Sequence, residues 1–400
     1  PGDKVDDRGV NASINSGVGN IRITGSGAIH AVNNAIRATN FGSGSTTVAD
    51  TGSLNSDAGA FAISVNNLGG AIDVTTGPGG VTGGGGVQAI NTGANGPGAV
   101  SVHVGGAITA IDAVNMGILA QSSGTGTVRV DSVGAGNVTG GSLADGIDAV
   151  TTSAAASADV TVDLSAFPVS VQGGADGIHA EGINGGVAVI TSGLVKAGSG
   201  EGVDASASGA GNVLVNGVGN IVVTGSGAGI RATSLTGGVS VGQTAHGYNG
   251  SIDPQGGGDG IDAFIVNPAS SGLVYVETGA TGSISGKAAI GILASNQGLG
   301  TVKVVTGADI GLSSDAVGLD GVRAQITNGL NLQTVEVDAG ASIYASENGV
   351  KATTVGLGGV TVNQTAGTIS AGKDGIQATI TNALNVGGNV VVTTSNGAAI

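Results

Sequence analysis

The chain has no cysteine and no tryptophan, and only 3 Tyr and 4 Phe in 400 residues. Without cysteine there is no disulfide framework, no thiolate metal site and no cysteine nucleophile. Basic residues are scarce as well: 12 Lys and Arg stand against 27 Asp and Glu, for a net charge of −15. Clustered Lys and Arg are what a phosphate backbone or an anionic lipid surface requires, so neither nucleic acid nor membrane is an expected partner. No apolar run reaches the ~18 residues of a membrane span. Charged residues are only 10% and apolar ones 40%, the reverse of a disordered chain.

What the chain has in excess is glycine, at 81 residues, with valine, alanine and isoleucine. The glycines do not fall at every third position, so this is not collagen. They open a recurring phrase: Gly, then Ile or Val, any residue, then Ala. It reads Gly146-Ile147-Asp148-Ala149, Gly177-Ile178-His179-Ala180, Gly202-Val203-Asp204-Ala205, Gly229-Ile230-Arg231-Ala232, Gly260-Ile261-Asp262-Ala263 and Gly291-Ile292-Leu293-Ala294. Gly321, Gly349 and Gly375 open further copies, and successive spacings run from 25 to 31 residues. A period near 29 marks a repeat architecture.

Earlier, degenerate copies are read at Gly27-Ala28-Ile29-His30-Ala31, Gly59-Ala60-Phe61-Ala62, Gly86-Val87-Gln88-Ala89 and Gly117-Ile118-Leu119-Ala120, giving about thirteen rungs. The stretch Gly17–Gly27 nearly recurs at Gly217–Gly227, which reads as internal duplication. Each period holds two more alternations. One is Val-x-Val, as in Val128-Arg129-Val130 and Val302-Lys303-Val304. The other is weaker, as in Ile221-Val222-Val223 and Ser342-Ile343-Tyr344-Ala345. Period-2 alternation between Gly, Asn and Ser clusters predicts strands and turns.

Three short strands per turn, stacked in register, predict an all-β fold: a right-handed parallel β-helix running as one solenoid over 1–400. A lone rung buries too little apolar surface to offset the entropy of ordering it, so each rung depends on its neighbours. Ile147 and Ala149 are expected inside and Asp148 in solvent. The chain opens at Pro1 without an initiator Met and reads as a processed or excised segment of a longer repeat protein.

The repeated Asp-Gly-Ile-x-Ala and Val-x-Val phrases, with the Thr/Val/Gly bias and absent Cys, resemble the passenger regions of bacterial autotransporter adhesins and related β-strand-repeat surface proteins. The resemblance covers nearly the whole chain. It implies export, display at the bacterial cell surface, and a host surface, glycan or matrix as partner.

Candidate chemistry centres on acidic groups. The residue before the motif glycine is acidic at Asp145, Asp176, Glu201, Asp259, Asp320 and Asp374. Asp145, Asp176 and Glu201 fall on three consecutive rungs, where their carboxylates stack about one strand spacing apart. A calcium ion taking oxygen ligands would relieve their repulsion. The competing reading is a solvated turn in which Asp-Gly serves turn geometry.

Gly257–Phe264 fits a calcium-binding nonapeptide, but that motif works in tandem copies and here stands alone. The outward column Asp148, His179, Asp204, Arg231, Asp262 alternates in charge, which cross-strand pairing explains without catalysis. His30, His103 and His246 show no carboxylate or metal partner and read as solvated. Asn184, Asn267, Asn296, Asn328 and Asn382 mark turns, as amide ladders or left-handed corners.

The expectation is a non-catalytic stalk or adhesin passenger, with no organic cofactor. Two other readings remain open. One is a subunit of an extracellular filament that self-associates end to end. The other is a glycan-active β-helix enzyme, which needs loops long enough to wall a cleft, and the short corners argue against those.

Overall fold

The computed structural model describes residues 7–57, 59–94, 96–155, 157–243, 247–395 and 399–400. It is all-β, a parallel β-solenoid of about fourteen turns whose strands fall into three sheets of 14, 14 and 13. Among the described residues no helix is long and apolar enough to cross a membrane. The chain divides into two compact units, 1–200 and 201–400.

The first unit holds seven strands in each sheet. Its first sheet runs from Val10–Ile14 through Ile147–Thr151 to Ile178–Gly182. Its second starts at Ile21–Gly25 and its third at Ile29–Ala31. The second unit holds seven, seven and six strands, starting at Val203–Ala207, Val213–Gly217 and Ile221–Val223. Every pairing between named strands is parallel, as three-strand winding requires.

The phrases sort by sheet. Gly-Ile-x-Ala gives the first sheet and Val-x-Val the second, while the weaker Ile phrases give the third. In the first unit Ile118 pairs with Ile147 and Ile147 with Ile178; in the second Ile230 pairs with Ile261 and Ile261 with Ile292. All of these isoleucines are fully buried, so the predicted apolar column exists in each unit. The core is otherwise mostly Val and Ala, with Leu54 and Leu164, and among the described residues its largest fully buried side chain is Tyr248, whose Oη donates to Gly219 O at 2.6 Å.

The motif glycine is explained by packing rather than by turn conformation. None of Gly146, Gly202, Gly229, Gly260, Gly291, Gly321 and Gly349 is among the positive-φ glycines. A Cβ on Gly229 would lie 2.1 Å from Ile252 Cγ2, and one on Gly321 2.1 Å from Ile343 Cγ2. The corner entering the first sheet passes directly over an inward isoleucine of the third. Only a residue without a side chain fits, so the expected role of Asp-Gly as turn geometry is corrected.

Three sequence readings shift. Ile29–Ala31 lies in the third sheet, and the first-sheet strands of the opening turns are Val10–Ile14 and Ile36–Asn40. Replacing one assigned copy by two raises the count from thirteen to fourteen. The copy at Gly59 is offset by three residues: Ile36 pairs with Ile63 and Ala38 with Val65. The near-duplicate segments are also not equivalent. Ile21 starts a second-sheet strand paired with Thr46, whereas Ile221 starts a third-sheet strand paired with Ile252.

Corner asparagines are used as amide donors. Asn296 is buried and its Nδ2 donates to Gly272 O at 2.9 Å. Asn184, Asn328 and Asn382 donate to Ala154 O, Pro268 O and Gly329 O, and Asn267 Oδ1 accepts the Ala269 N–H. Asn40, Asn67 and Asn91, unremarked in the sequence, form a buried ladder at one corner of the first unit. Each supplies hydrogen bonds to corner carbonyls that water does not reach.

Candidate functional site

Of the acidic residues before the motif glycines, Asp374 is exposed, but Asp145, Asp259 and Asp320 do not splay into water. Asp145 Oδ1 accepts the Asp176 N–H at 3.0 Å, and Asp259 Oδ1 accepts the Ile290 N–H at 2.9 Å. Asp320 Oδ1 accepts from Asn348 Nδ2 at 2.7 Å. Each carboxylate thus binds the same corner one turn later. The second oxygen of Asp320, a fully buried residue, accepts from Arg323 Nε at 2.6 Å. The acidic corner is a rung-to-rung clasp, and the solvated-turn reading is corrected on that point.

The predicted calcium set, Asp145, Asp176 and Glu201, is distributed over both units. Glu201 belongs to the second, where its Oε1 receives Arg231 Nη1 at 2.5 Å. In the first unit His179 joins the other two. Asp145, Asp176 and His179 each offer a ligand atom, all within 4.8 Å of one another. Two carboxylates with an imidazole suit a transition ion such as zinc better than calcium, which takes oxygen ligands. Burial raises the Asp145 carboxyl above its ordinary range, against the lowering effect of the Asp176 N–H.

The outward column of the first sheet has the predicted register: Asp148 beside His179, Asp204 beside Arg231, Arg231 beside Asp262. Its solvation differs from expectation. Asp148 is half-buried, its Oδ1 has no hydrogen-bond partner, and burial pushes its pKa up to about 6 despite the neighbouring His179. Asp262 is only 7% exposed. Burial first, and the charge and hydrogen bond of Asp259 next, push its carboxyl up to about 8. Corner residues overhang this column, which alternation along the strand does not reveal. The overlapping phrase Gly257–Phe264 accordingly gives a corner and an ordinary strand, Ile261–Ile265.

Two ion networks on the outer face of the second sheet went unseen in the sequence. In the first unit His103 Nδ1 lies 2.5 Å from Asp131 Oδ1, and its Nε2 lies 3.6 Å from Asp73. Arg129 Nε meets Asp131 Oδ2 at 2.7 Å. In the second unit Lys303 Nζ lies 3.0 Å from Glu336 and 3.3 Å from Asp338, and these bonds, Glu336 foremost, raise its pKa. Beside it, Tyr275 Oη donates to Glu277 at 2.5 Å. Burial first, then that carboxylate, raises the phenol's pKa.

The expectation of unpartnered histidines is corrected for His103 and for His30, whose Nε2 lies 3.2 Å from Asp57 Oδ1. His246 lies outside the described residues. His30 and Asp57, like His103 and Asp131, stand about one period apart. A search one turn ahead in sequence finds both partners.

Concavities lie on the outer sheet faces. One of about 530 Å³ on the second sheet of the second unit is bordered by Leu214, Leu273 and Tyr275. On the third sheet, Thr139, Gln172 and Lys196 border about 220 Å³ in the first unit, and Asp253, Lys287 and Asp315 border about 320 Å³ in the second. The last is walled by a corner insertion in which Leu312 and Asp315 exchange backbone hydrogen bonds of 2.8 and 3.0 Å. The expectation of uniformly short corners fails there. Comparison with protein-family models, curated proteins and solved structures finds no match for this chain.

Proposed function

We propose that this chain is a non-catalytic, extracellular structural and adhesive β-solenoid of a bacterial surface protein, a stalk or passenger that presents its sheet faces to a host surface, glycan or matrix. The observation that supports this most is the use of its charged groups. Asp145, Asp259 and Asp320 hold the next turn's backbone, and His103, Arg129, Lys303 and Arg323 are tied to carboxylates on neighbouring strands or corners. Groups committed in this way rigidify a surface; catalysis needs them aimed at a reacting atom.

Among the described residues, the neighbouring carboxyls of Asp259 and Asp262, the latter with its pKa raised, most favour a glycan-active enzyme, since a general acid must keep its proton at neutral pH. Asp262 is too deeply buried for a substrate to reach. Two measurements test the reading. Beads coated with the purified chain should attach to host cells or matrix above a bare-bead control, and a polysaccharide panel incubated with the chain should show no new reducing ends. Polysaccharide cleavage that disappears in Asp259→Asn would replace the adhesive reading with the enzymatic one.

A further inference from the structure

We propose that the cavity on the third sheet of the second unit is a binding site for a neutral hexose unit of a glycan. The proposal rests on the adhesive reading for its setting and on its own geometry for the site.

The cavity of about 320 Å³ is at the small end of ligand pockets and suits a single sugar ring. Its floor is the outer edge of strands Ile252–Pro254 and Ser283–Ile284, which pair through Ile252 and Ile284. Its wall is the 311–315 corner. That wall is fixed. Val317 is fully buried, its N–H donates to Tyr344 O at 3.0 Å, and Gly318 N–H donates to Ala288 O at 2.9 Å. Gly286 is pressed so closely that a Cβ would lie 1.8 Å from Asp315 O. A site held this way needs little ordering when a ligand arrives.

The lining chemistry separates this cavity from the rest of the unit. Elsewhere in the unit Arg231, Lys303, Arg323 and Lys373 are ion-paired, and among the described residues Lys351 alone of the other cations is not. Here Asp253, Lys287 and Asp315 border one cavity, and none of them makes an ion pair among the described residues. Asp253 Oδ2 accepts from Gln255 Nε2 at 3.0 Å, while its Oδ1 is buried with no hydrogen-bond partner. That oxygen is closed to water and to a ligand alike, whereas the exposed Oδ2 keeps a second lone pair for an incoming donor. Ser283 Oγ donates to Ser251 Oγ at 3.3 Å, leaving the pair with acceptor capacity at the rim.

Vicinal hydroxyls meet all three demands. They donate to Asp253 and the serines, accept from Lys287, and leave a C–H face for Leu312, an exposed leucine on the wall. Two carboxylates against one lysine repel a uronate or a sialate, so the sugar is neutral.

The test is a glycan array probed with the whole chain, displaying neutral-hexose, amino-sugar and uronate termini. Titration calorimetry follows with the free methyl glycoside of the strongest neutral hit. Binding to neutral hexoses is expected, with affinity reduced at least tenfold in Asp253→Ala and in Lys287→Met. Lys287→Met keeps the test sound if Asp253→Ala melts early. Preference for uronates or amino sugars overturns the neutral-sugar assignment, and hexose binding unchanged in both variants overturns the site. Failure of the wild type to bind any hexose also overturns the site. Bead attachment to protein matrix, measured separately, then shows whether the adhesive reading survives it.

Discussion

A glycine in this chain is most informative where it cannot be replaced for lack of space. Gly229 sits over Ile252, with a Cβ position 2.1 Å from Cγ2, whereas Gly387 has open space and no positive φ. Overpacking of this kind costs about 1–3 kcal/mol. Gly229→Ala should therefore lower the apparent Tm by roughly 2–10 °C, taking a few degrees per kcal/mol for a unit of this size. Gly387→Ala should leave it within a degree or so. Thermal melts of the two variants side by side check this, and equal melting would return the motif glycine to a turn role.

The buried acid Asp262 makes a second statement at the same scale. Its carboxyl titrates near 8 in the fold and near 3.8 when unfolded. Between those values the folded state binds more protons than the unfolded one, so stability declines as pH rises. The contribution is complete below about pH 4, falls through the neutral range and is gone above the folded pKa. Asp262→Asn, which carries no titrating proton, should flatten that slope and melt above the wild type at pH 8. Denaturant midpoints from pH 5 to 9 measure it. An identical slope in the variant would mean that another group sets the pH dependence.

At the scale of strands and corners, the sheet assignment was legible wherever the three phrases differed. Val-x-Val and Gly-Ile-x-Ala each kept to one sheet, and their corners differ: the glycine before the first-sheet strand packs on a third-sheet isoleucine, while those before second-sheet strands, such as Gly272 and Gly300, pack on the previous turn's backbone. Legibility failed where the phrase was ambiguous. Gly17–Gly27 and Gly217–Gly227 look alike, yet they start on different sheets, because a short strand with alternate residues buried fits any face and only position in the turn decides. Spacing carried the missing information. Ile21 and Ile29 are eight residues apart, as are Val213 and Ile221, the second-to-third-sheet step.

The acidic corner was legible as a column, but its use was not. The hydrogen bond from Asp176 N–H to Asp145 depends on a register that alternation does not fix. That bond makes a prediction. Asp145 is already committed to the next turn, so added calcium should leave the Tm within a degree or so. Asp145→Ala should lower stability by about 1–3 kcal/mol, the usual worth of a hydrogen bond to a charged group. Calorimetric melts with calcium and with chelator decide between the two uses. A calcium-dependent rise lost in the Asp145→Asn/Asp176→Asn/Glu201→Gln variant would restore the ion site.

For the molecule as a whole, stacking makes stability a sum of rung terms and nearest-neighbour terms. Each turn borrows half its burial from the turns on either side, so damage should spread by contact rather than globally. Ile230 tests this, being fully buried between Val203 and Ile261 in the first sheet of the second unit. Ile230→Asp would place an unpaired carboxylate in that column, at a cost of several kcal/mol before it protonates. Hydrogen exchange should then show the greatest loss of protection in Val203–Ala207, Ile230–Ser234 and Ile261–Ile265. Protection should recover over successive turns toward Val350–Thr354. Uniform loss across the second unit would mean that it unfolds in one step, and that its turns are coupled more strongly than neighbour contacts allow. Wild-type exchange and melting would instead place Ile230 outside the core, against the register drawn above.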